Sequence, residues 1–421
     1  MEEMEFASLS LIVLVAVFAI GALKKNPLHI GILAMLAAFI LGKIAGVKEV
    51  AIMGYFPTTL FVRVFGIMLF FAIAQVNGAI ELLARKMIAK TGQNTKLMPF
   101  FIFYVGVILA SIGINSVAGM AILSGIGISL AVASDTDPLL YGLAGAYGIA
   151  CGCYSPINEY TANVVSACET AGRDVNLLSI YIFNLVSYSI SFLVIYLLLG
   201  GYKAKGSLDN DVTLKDIPAF TRPQMITLIG ILAVVALVVL LKVDIGWSGL
   251  IVAVACILLD VCKCDAALKK VSLPSLMLIC GVGLLVNEVS DMGGFTLLSQ
   301  WLASVMSTNT VAPLMCLTAG VMSMFTLSRL VVISLIPTLP GIFEAIPTAP
   351  VMVCIAATCA GGFAASFGPL SAGGALIISN LVNQYGEQAQ QKYFTKLLLM
   401  GIVGGVVVAG TYYVASLIGV F

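Results

Sequence analysis

The chain reads as a succession of long apolar stretches parted by short polar breaks. Continuous candidates lie at 6–23, 28–47, 58–77, 138–165, 178–200, 223–241, 247–261, 273–288, 349–382 and 395–420. About 20 apolar residues in a helix cross the roughly 30 Å hydrocarbon layer of a bilayer, so ten crossings are predicted. Two further apolar regions, 97–133 and 310–346, have length for two short helices each and a polar interruption near the centre. The interruptions read Gly113-Ile114-Asn115-Ser116 and Thr326-Leu327-Ser328-Arg329. Non-helical backbone at membrane depth survives only where it is buried in protein or lines a wet cavity. Both regions are therefore predicted as re-entrant helical hairpins. Shorter amphipathic pieces at 78–92 and 293–306 precede them, the first with Glu81, Arg85, Lys86 and Lys90 on one polar face. Such helices lie flat at the membrane surface.

The pattern occurs twice. Gly78-Ala79-Ile80-Glu81-Leu82-Leu83 returns as Gly293-Gly294-Phe295-Thr296-Leu297-Leu298, Asn115-Ser116 as Leu327-Ser328, and Tyr154-Ser155-Pro156 as Phe367-Gly368-Pro369. The halves are 1–200 and 223–421, joined by the charged linker 201–222. Each holds five predicted spans plus one hairpin, and an odd number of crossings inserts the second half upside down. The expected fold is an all-α polytopic membrane protein of two inverted repeats, the plan of many secondary carriers.

Composition agrees: 61% of residues are hydrophobic and 10% charged, well below the roughly 25% charged of soluble domains. A net charge of +1 leaves no basic face for nucleic acid. The acidic start Met1-Glu2-Glu3-Met4-Glu5 lacks the basic region of a secretory signal, so the first apolar segment is expected to be a retained span. With the hairpins returning to their own side, fifteen of the 21 Lys and Arg residues fall on one face. That face is predicted cytoplasmic, with both termini outside, in the cell inner membrane. Ten cysteines sit mostly within apolar runs as small hydrophobes, and Cys262-Lys263-Cys264 is too tightly spaced for a zinc site. No metal motif is present. The single histidine, His29, is predicted in a cytoplasmic turn, far from Ser155, which argues against serine-nucleophile chemistry and an enzyme.

The candidate chemistry lies where apolar stretches break. Cys151-Gly152-Cys153-Tyr154-Ser155-Pro156-Ile157-Asn158-Glu159 interrupts the first, and Ser366-Phe367-Gly368-Pro369-Leu370-Ser371 the second. Proline cannot continue the helical hydrogen bonds, and glycine allows close backbone approach. Two hairpin tips and two broken helices would bring four helix N-termini to one depth, where unsatisfied N–H groups attract carboxylates. The opposing helix ends expose carbonyls that suit Na⁺ or a proton relay. Arg329 at bilayer depth marks a substrate path or a buried pair, and its planar fork matches a carboxylate. Candidate anion-binding residues are Asn115, Ser116, Ser155, Pro156, Asn158, Ser328, Arg329, Gly368, Pro369 and Ser371. Candidate cation-binding residues are Asn115, Ser116, Cys151, Gly152, Thr326 and Ser366, and Glu159 is a candidate proton carrier.

In these hairpin and broken-helix pairs the chain resembles the ion transporter superfamily that includes the divalent anion/Na⁺ symporters. Over residues 5–421 it most resembles the MatC-type dicarboxylate (malonate) carriers, especially in Ser155-Pro156-Ile157-Asn158 and Phe367-Gly368-Pro369-Leu370-Ser371. The resemblance implies a homodimeric, elevator-type carrier, with a fixed scaffold and a moving domain that takes a C3–C4 dicarboxylate across by cation coupling or exchange. No cofactor is implied beyond Na⁺ as a coupling ion. The symporters carry Ser-Asn-Thr at both tips, whereas this chain has Asn115-Ser116-Val117 and Leu327-Ser328-Arg329. Arg329 thus stands where the family places a mobile cation. A cation/proton antiporter of the same superfamily is the alternative. Against it, the aspartates, including Asp135, Asp137, Asp260 and Asp291, fall near span ends rather than at mid-depth.

Overall fold

The computed structural model describes residues 2–22, 28–89, 94–204, 217–324, 327–369 and 371–419. The regular elements among them are helices. The first half contains α1 (Glu2–Ala22), α2 (Ile30–Ile44), α3 (Glu49–Gly54), α4 (Thr58–Val76), α5 (Ala79–Ala89), α6 (Met98–Ser111), α7 (Ser116–Ala133), α8 (Pro138–Gly152), α9 (Glu159–Thr170) and α10 (Leu177–Leu198). Most of the expected linker lies outside the described residues. The second half contains α11 (Arg222–Val239), α12 (Ile245–Leu258), α13 (Cys264–Lys270), α14 (Leu273–Asp291), α15 (Gly294–Ser304), α16 (Val311–Ser323), α17 (Ser328–Leu335), α18 (Leu339–Ala345), α19 (Val351–Ala364), α20 (Ala372–Tyr385) and α21 (Gln388–Ile418).

The same order of elements runs twice, and equivalent helices exchange partners. Helix α4 packs on α12 while α14 packs on α2; α7 packs on α20 while α17 packs on α9. Within the halves, α6 lies along α8 and α16 along α19, and α10 packs on its own counterpart α21.

Several boundaries differ from the sequence expectation. The spans expected at 28–47 and 247–261 are helices of 15 and 14 residues, about 22 Å long. Both end early in the same way: Val47 N–H bonds back to the Gly42 carbonyl and Val261 N–H to that of Cys256, the closing bond of a Schellman-type stop. The short helices α3 and α13 follow, and an average of hydropathy does not separate them from their neighbours. The hairpins are uneven rather than two short pairs. Their first limbs have 14 and 13 residues, but the second limbs, Ser116–Ala133 and Ser328–Ala345, have 18 each and are long and apolar enough to span. The second of these is interrupted by a 3₁₀ turn, Ile336–Thr338, at Pro337. Glu49–Val76, Leu177–Leu198 and Gln388–Ile418 also reach spanning length among the described residues. On amphipathic α5, Arg85 pairs with Glu81 at 2.7 Å; Lys90 lies outside the described residues.

Two apolar cores result. The larger joins hairpin α6–α7, the broken helices and the second-half bundle. The smaller gathers α1, α2 and α14, and receives Ala162 from α9 and Leu330 and Ile333 from α17. All ten cysteines are free, and only Cys264 is exposed. Multiple apolar helices with lipid-ready faces make this a multi-pass membrane protein.

Candidate transport site

The first hairpin turns at Gly113, whose φ of +106° lies in the left-handed region and where a Cβ would strike the ring of Phe71. Past the turn, Asn115 caps α7: its side-chain oxygen accepts from the N–H groups of Val117 (3.1 Å) and Ala118 (3.2 Å). Its amide nitrogen donates to Glu159 Oε1. The break between α8 and α9 grips the hairpin from the other side. Asn158 caps α9 through Tyr160 N–H, and its amide donates to the carbonyls of Ala110 (2.8 Å) and Ile114 (3.1 Å). Ser155 donates to the carbonyl of Ser111 at 2.8 Å. Ser111 ends α6 and Ile114 lies in the turn, while the Ala110 carbonyl also accepts from Gly113 N–H, so the break completes the hydrogen bonding of the limb end and the turn.

The second break is tied differently. Ser371 caps α20 by accepting from Gly374 N–H and donates to the Ser366 and Gly368 carbonyls. A Cβ on Gly374 would collide with the Gly368 carbonyl, so this break folds back onto the start of α20. Ser366 donates to the Gly362 carbonyl at 2.9 Å and meets the Ser328 hydroxyl at 3.0 Å, which attaches the second hairpin to α19. Tyrosines bind the two broken helices together. Tyr154 donates to the Cys359 carbonyl (2.6 Å), Tyr188 to that of Ala360 (2.7 Å), and Tyr147 stacks on Phe367 with centroids 3.9 Å apart.

The first residues of α7, α17 and α20 and the second residue of α9 converge on a cavity of about 40 Å³. Ser116, Val117, Tyr160, Ser328, Arg329, Ala372 and Gly373 line it, with Met120, Phe363, Ser366, Ser371 and Leu376. Arg329 is 7% and Glu159 4% exposed, and their closest atoms are 3.7 Å apart. The guanidinium lines the cavity, and its pairing with Glu159 at 3.7 Å is longer than a hydrogen bond. Tyr160 reaches across the halves to donate to the Ser328 carbonyl at 3.3 Å.

Of the sequence candidates, Ser116, Ser328, Arg329, Ser366 and Ser371 line the cavity. Asn115, Ser155, Asn158 and Glu159 brace it, spending their polar atoms on the hairpin or on Arg329. Pro156, Gly368 and Pro369 make the turns and do not reach the lining. Cys151 and Gly152 are buried in α8; the Gly152 carbonyl accepts from Ser155 N–H, and its Cα lies against the Val107 carbonyl of α6. Neither lines the cavity. Thr326 falls outside the described residues. Sequence reading missed Val117, Met120, Tyr160, Phe363, Gly373 and Leu376. Only Tyr160 carried a signal, standing directly after the polar cap Asn158-Glu159.

Two family models match the chain. Residues 4–153 match the N-terminus of the dicarboxylate carrier protein MatC, and residues 235–419 match the citrate transporter family. No curated protein matches it closely enough to serve as a relative. Among solved structures, the Alcanivorax borkumensis YdaH transporter aligns with a TM-score of 0.66 at 12% identity, over 99% of this chain and 98% of its own. Neisseria gonorrhoeae MtrF, described with a class of antimetabolite efflux pumps, aligns with a TM-score of 0.62 at 15% identity, over 97% and 94%. At such identity these two share the fold. The chain is thus a secondary transporter, with the MatC-type dicarboxylate carrier pattern in its N-terminal part and the citrate transporter pattern in its C-terminal part.

Proposed function

We propose that this carrier moves a small organic anion, a C3–C4 dicarboxylate, across the inner membrane by an elevator movement, with both termini outside. The observation that carries the reading is Arg329: a buried guanidinium that lines the cavity where four helix N-termini converge. At 3.7 Å the Glu159 carboxylate balances its charge without making a hydrogen bond to it. A substrate carboxylate binds in its place, making the bidentate contact that Glu159 does not make.

Displaced Glu159 then needs a partner of its own, since an unpaired carboxylate at that depth is costly. A proton is the simplest, and it makes Glu159 the coupling residue. The Na⁺ alternative at Asn115 and Ser116 is less favoured, because the Asn115 side-chain oxygen already accepts from two N–H groups. The cavity of about 40 Å³ has room for about three waters at 10–15 Å³ each, too little for a dicarboxylate. Loading therefore requires the second hairpin to lift away from Ser366. The two-fold exchange of helix partners supports inverted repeats. In this reading α1, α2, α4 and their counterparts α11, α12, α14 form the scaffold of a homodimer, and the hairpins with the broken helices move.

The test is uptake of labelled malonate and succinate into proteoliposomes under an imposed pH or Na⁺ gradient. Saturable uptake driven by external acid, and lost in Arg329→Ala, is expected. Uptake that follows Na⁺ alone would remove the proton role of Glu159, and full uptake by Arg329→Ala would remove the site.

A further inference from the structure

A second buried carboxylate lies outside this site. Glu288, one turn before the end of α14, is 0% exposed, and neither carboxyl oxygen has a hydrogen-bond partner among the described residues. It is wedged against α2 where that helix offers a glycine: a Cβ on Gly42 would stand 2.6 Å from Glu288 Oε1 and 2.6 Å from the Ile52 side chain of α3. Leu41, Ile52, Leu285 and Val289 belong to the apolar core around it.

The charged groups on the neighbouring elements are engaged elsewhere or face water. Lys43 of α2 pairs with Glu49 of α3 at 3.2 Å, both about half exposed, and Lys48 and Glu5 are exposed. Arg63 of α4 holds Asp244 and Glu169, and Arg329 of α17 faces Glu159. One turn further along α14, Asp291 accepts a hydrogen bond from the Tyr55 hydroxyl. Asp291, Ala45 and Val47 line an open groove of about 640 Å³. The groove thus ends one helical turn from Glu288 on both α14 and α2.

Among the described residues this carboxyl has no cation in contact with it, and its 0% exposure removes it from bulk water. A hard metal cation gathers about six oxygens, and among the described residues no three or more acidic, histidine or cysteine side chains stand together to hold one. A proton needs a single oxygen. We propose that Glu288 is a proton-binding site in the cradle of α2, α3 and α14, charged from and discharged into the groove at Asp291. In uptake, one carboxylate oxygen takes a proton from groove water to give the neutral acid; release returns it there. The adjacent residue gives this site a link to the moving arm. Asn287 donates to the Tyr55 carbonyl at 2.9 Å and accepts from Thr170, the last residue of α9, at 3.3 Å. Docking of α9 and closure of the cradle over Glu288 therefore involve the same turn of α14. This link to transport rests on the carrier reading; the proton site does not.

The test is infrared spectroscopy of the full-length protein in liposomes at pH 7, without substrate, in H₂O and D₂O. The expected result is a protonated carboxylic acid C=O band, shifted in D₂O, present in wild type, Glu159→Gln and Asp291→Asn, and reduced by one acid per chain in Glu288→Gln. An unchanged band in Glu288→Gln, or no acid band in wild type, overturns the proposal. The wild-type and Glu159→Gln spectra decide the matter even where Glu288→Gln fails to assemble. Because no transport is measured, the result is independent of whether malonate is the cargo.

Discussion

The two hairpins occupy equivalent places yet are held very differently. The first is fixed by four side-chain attachments: the Asn115 cap, the two bonds from Asn158 and the one from Ser155. Among the described residues the second is held by the Ser323 bond to the Gly361 carbonyl, the Ser328–Ser366 hydroxyl contact, the Tyr160 bond to the Ser328 carbonyl and the longer Arg329–Glu159 pair. Among the described residues the first hairpin is tied largely by asparagine amides, the second by hydroxyls and a charge pair, and the second carries the charge. In the proposed carrier cycle a gate has to part from its seat while the wall opposite stays in place, and in that proposal the first half supplies the wall and the second the door.

The sharpest way to break this comparison is to remove the charge from the door. Removing one partner of a buried charged pair costs about 2–5 kcal/mol or more, so Arg329→Ala should lower malonate uptake by about 100-fold or more, with Arg329→Lys intermediate. Retained uptake would mean that the door carries no cargo. Next in size, Glu159→Gln should flatten the dependence of uptake on external pH, with uptake at low pH reduced by about tenfold; initial rates between pH 5.5 and 8 measure it. On the wall, Asn158→Ala removes the side-chain donor of the Ile114 carbonyl and one of two donors at Ala110, for about 1–3 kcal/mol of stability. A lowered melting temperature in detergent checks it. Ser366→Ala removes one hydroxyl contact from the door, for about 1 kcal/mol. A loss as large as that of Asn158→Ala would erase the distinction between the hairpins.

The smallest expected effect is at the edge of the moving arm. Arg63 of α4 meets Glu169 of α9 at 3.0 Å and Asp244 of α12 at 2.7 Å. Glu169 is about half exposed, so Glu169→Gln should change stability by about 0.2–1 kcal/mol and exchange rates by at most a few fold. Counterflow rates at matched protein density measure it.

Much of this arrangement was legible in the sequence because membrane chains rarely place Pro, Gly, Asn or Arg in apolar stretches without reason. The breaks at Ser155-Pro156 and Gly368-Pro369, the tips at Asn115 and Ser328, and the burial of Arg329 all follow from that rule. What each polar residue does there was not legible. Asn158 and Ser155 have the chemistry of ligands, but they serve carbonyls at the end of α6 and in the hairpin turn, and only the packed hairpin shows those carbonyls within reach. Tyr160 and Phe363 wall the cavity yet look like core residues in an apolar sequence. Arg63 and its partner Asp244 are far apart in the chain, and no local pattern joins them. The short helices α3 and α13 were hidden because hydropathy averages over more residues than they contain.

Helix α8 meets the first hairpin backbone to backbone. Gly148 lies against the Phe103 carbonyl, Gly152 against that of Val107, and Gly145 against Leu123 at a distance that leaves no room for a methyl group. At these three crossings backbone meets backbone, so there is little between them to flex when force is applied. In the proposed movement a push on the hairpin tip would reach the break at Ser155 as through a lever with little play. Reporter groups for following the motion belong on the outer faces of this unit, because even one added carbon in the seam would act as a shim and change the machine being watched.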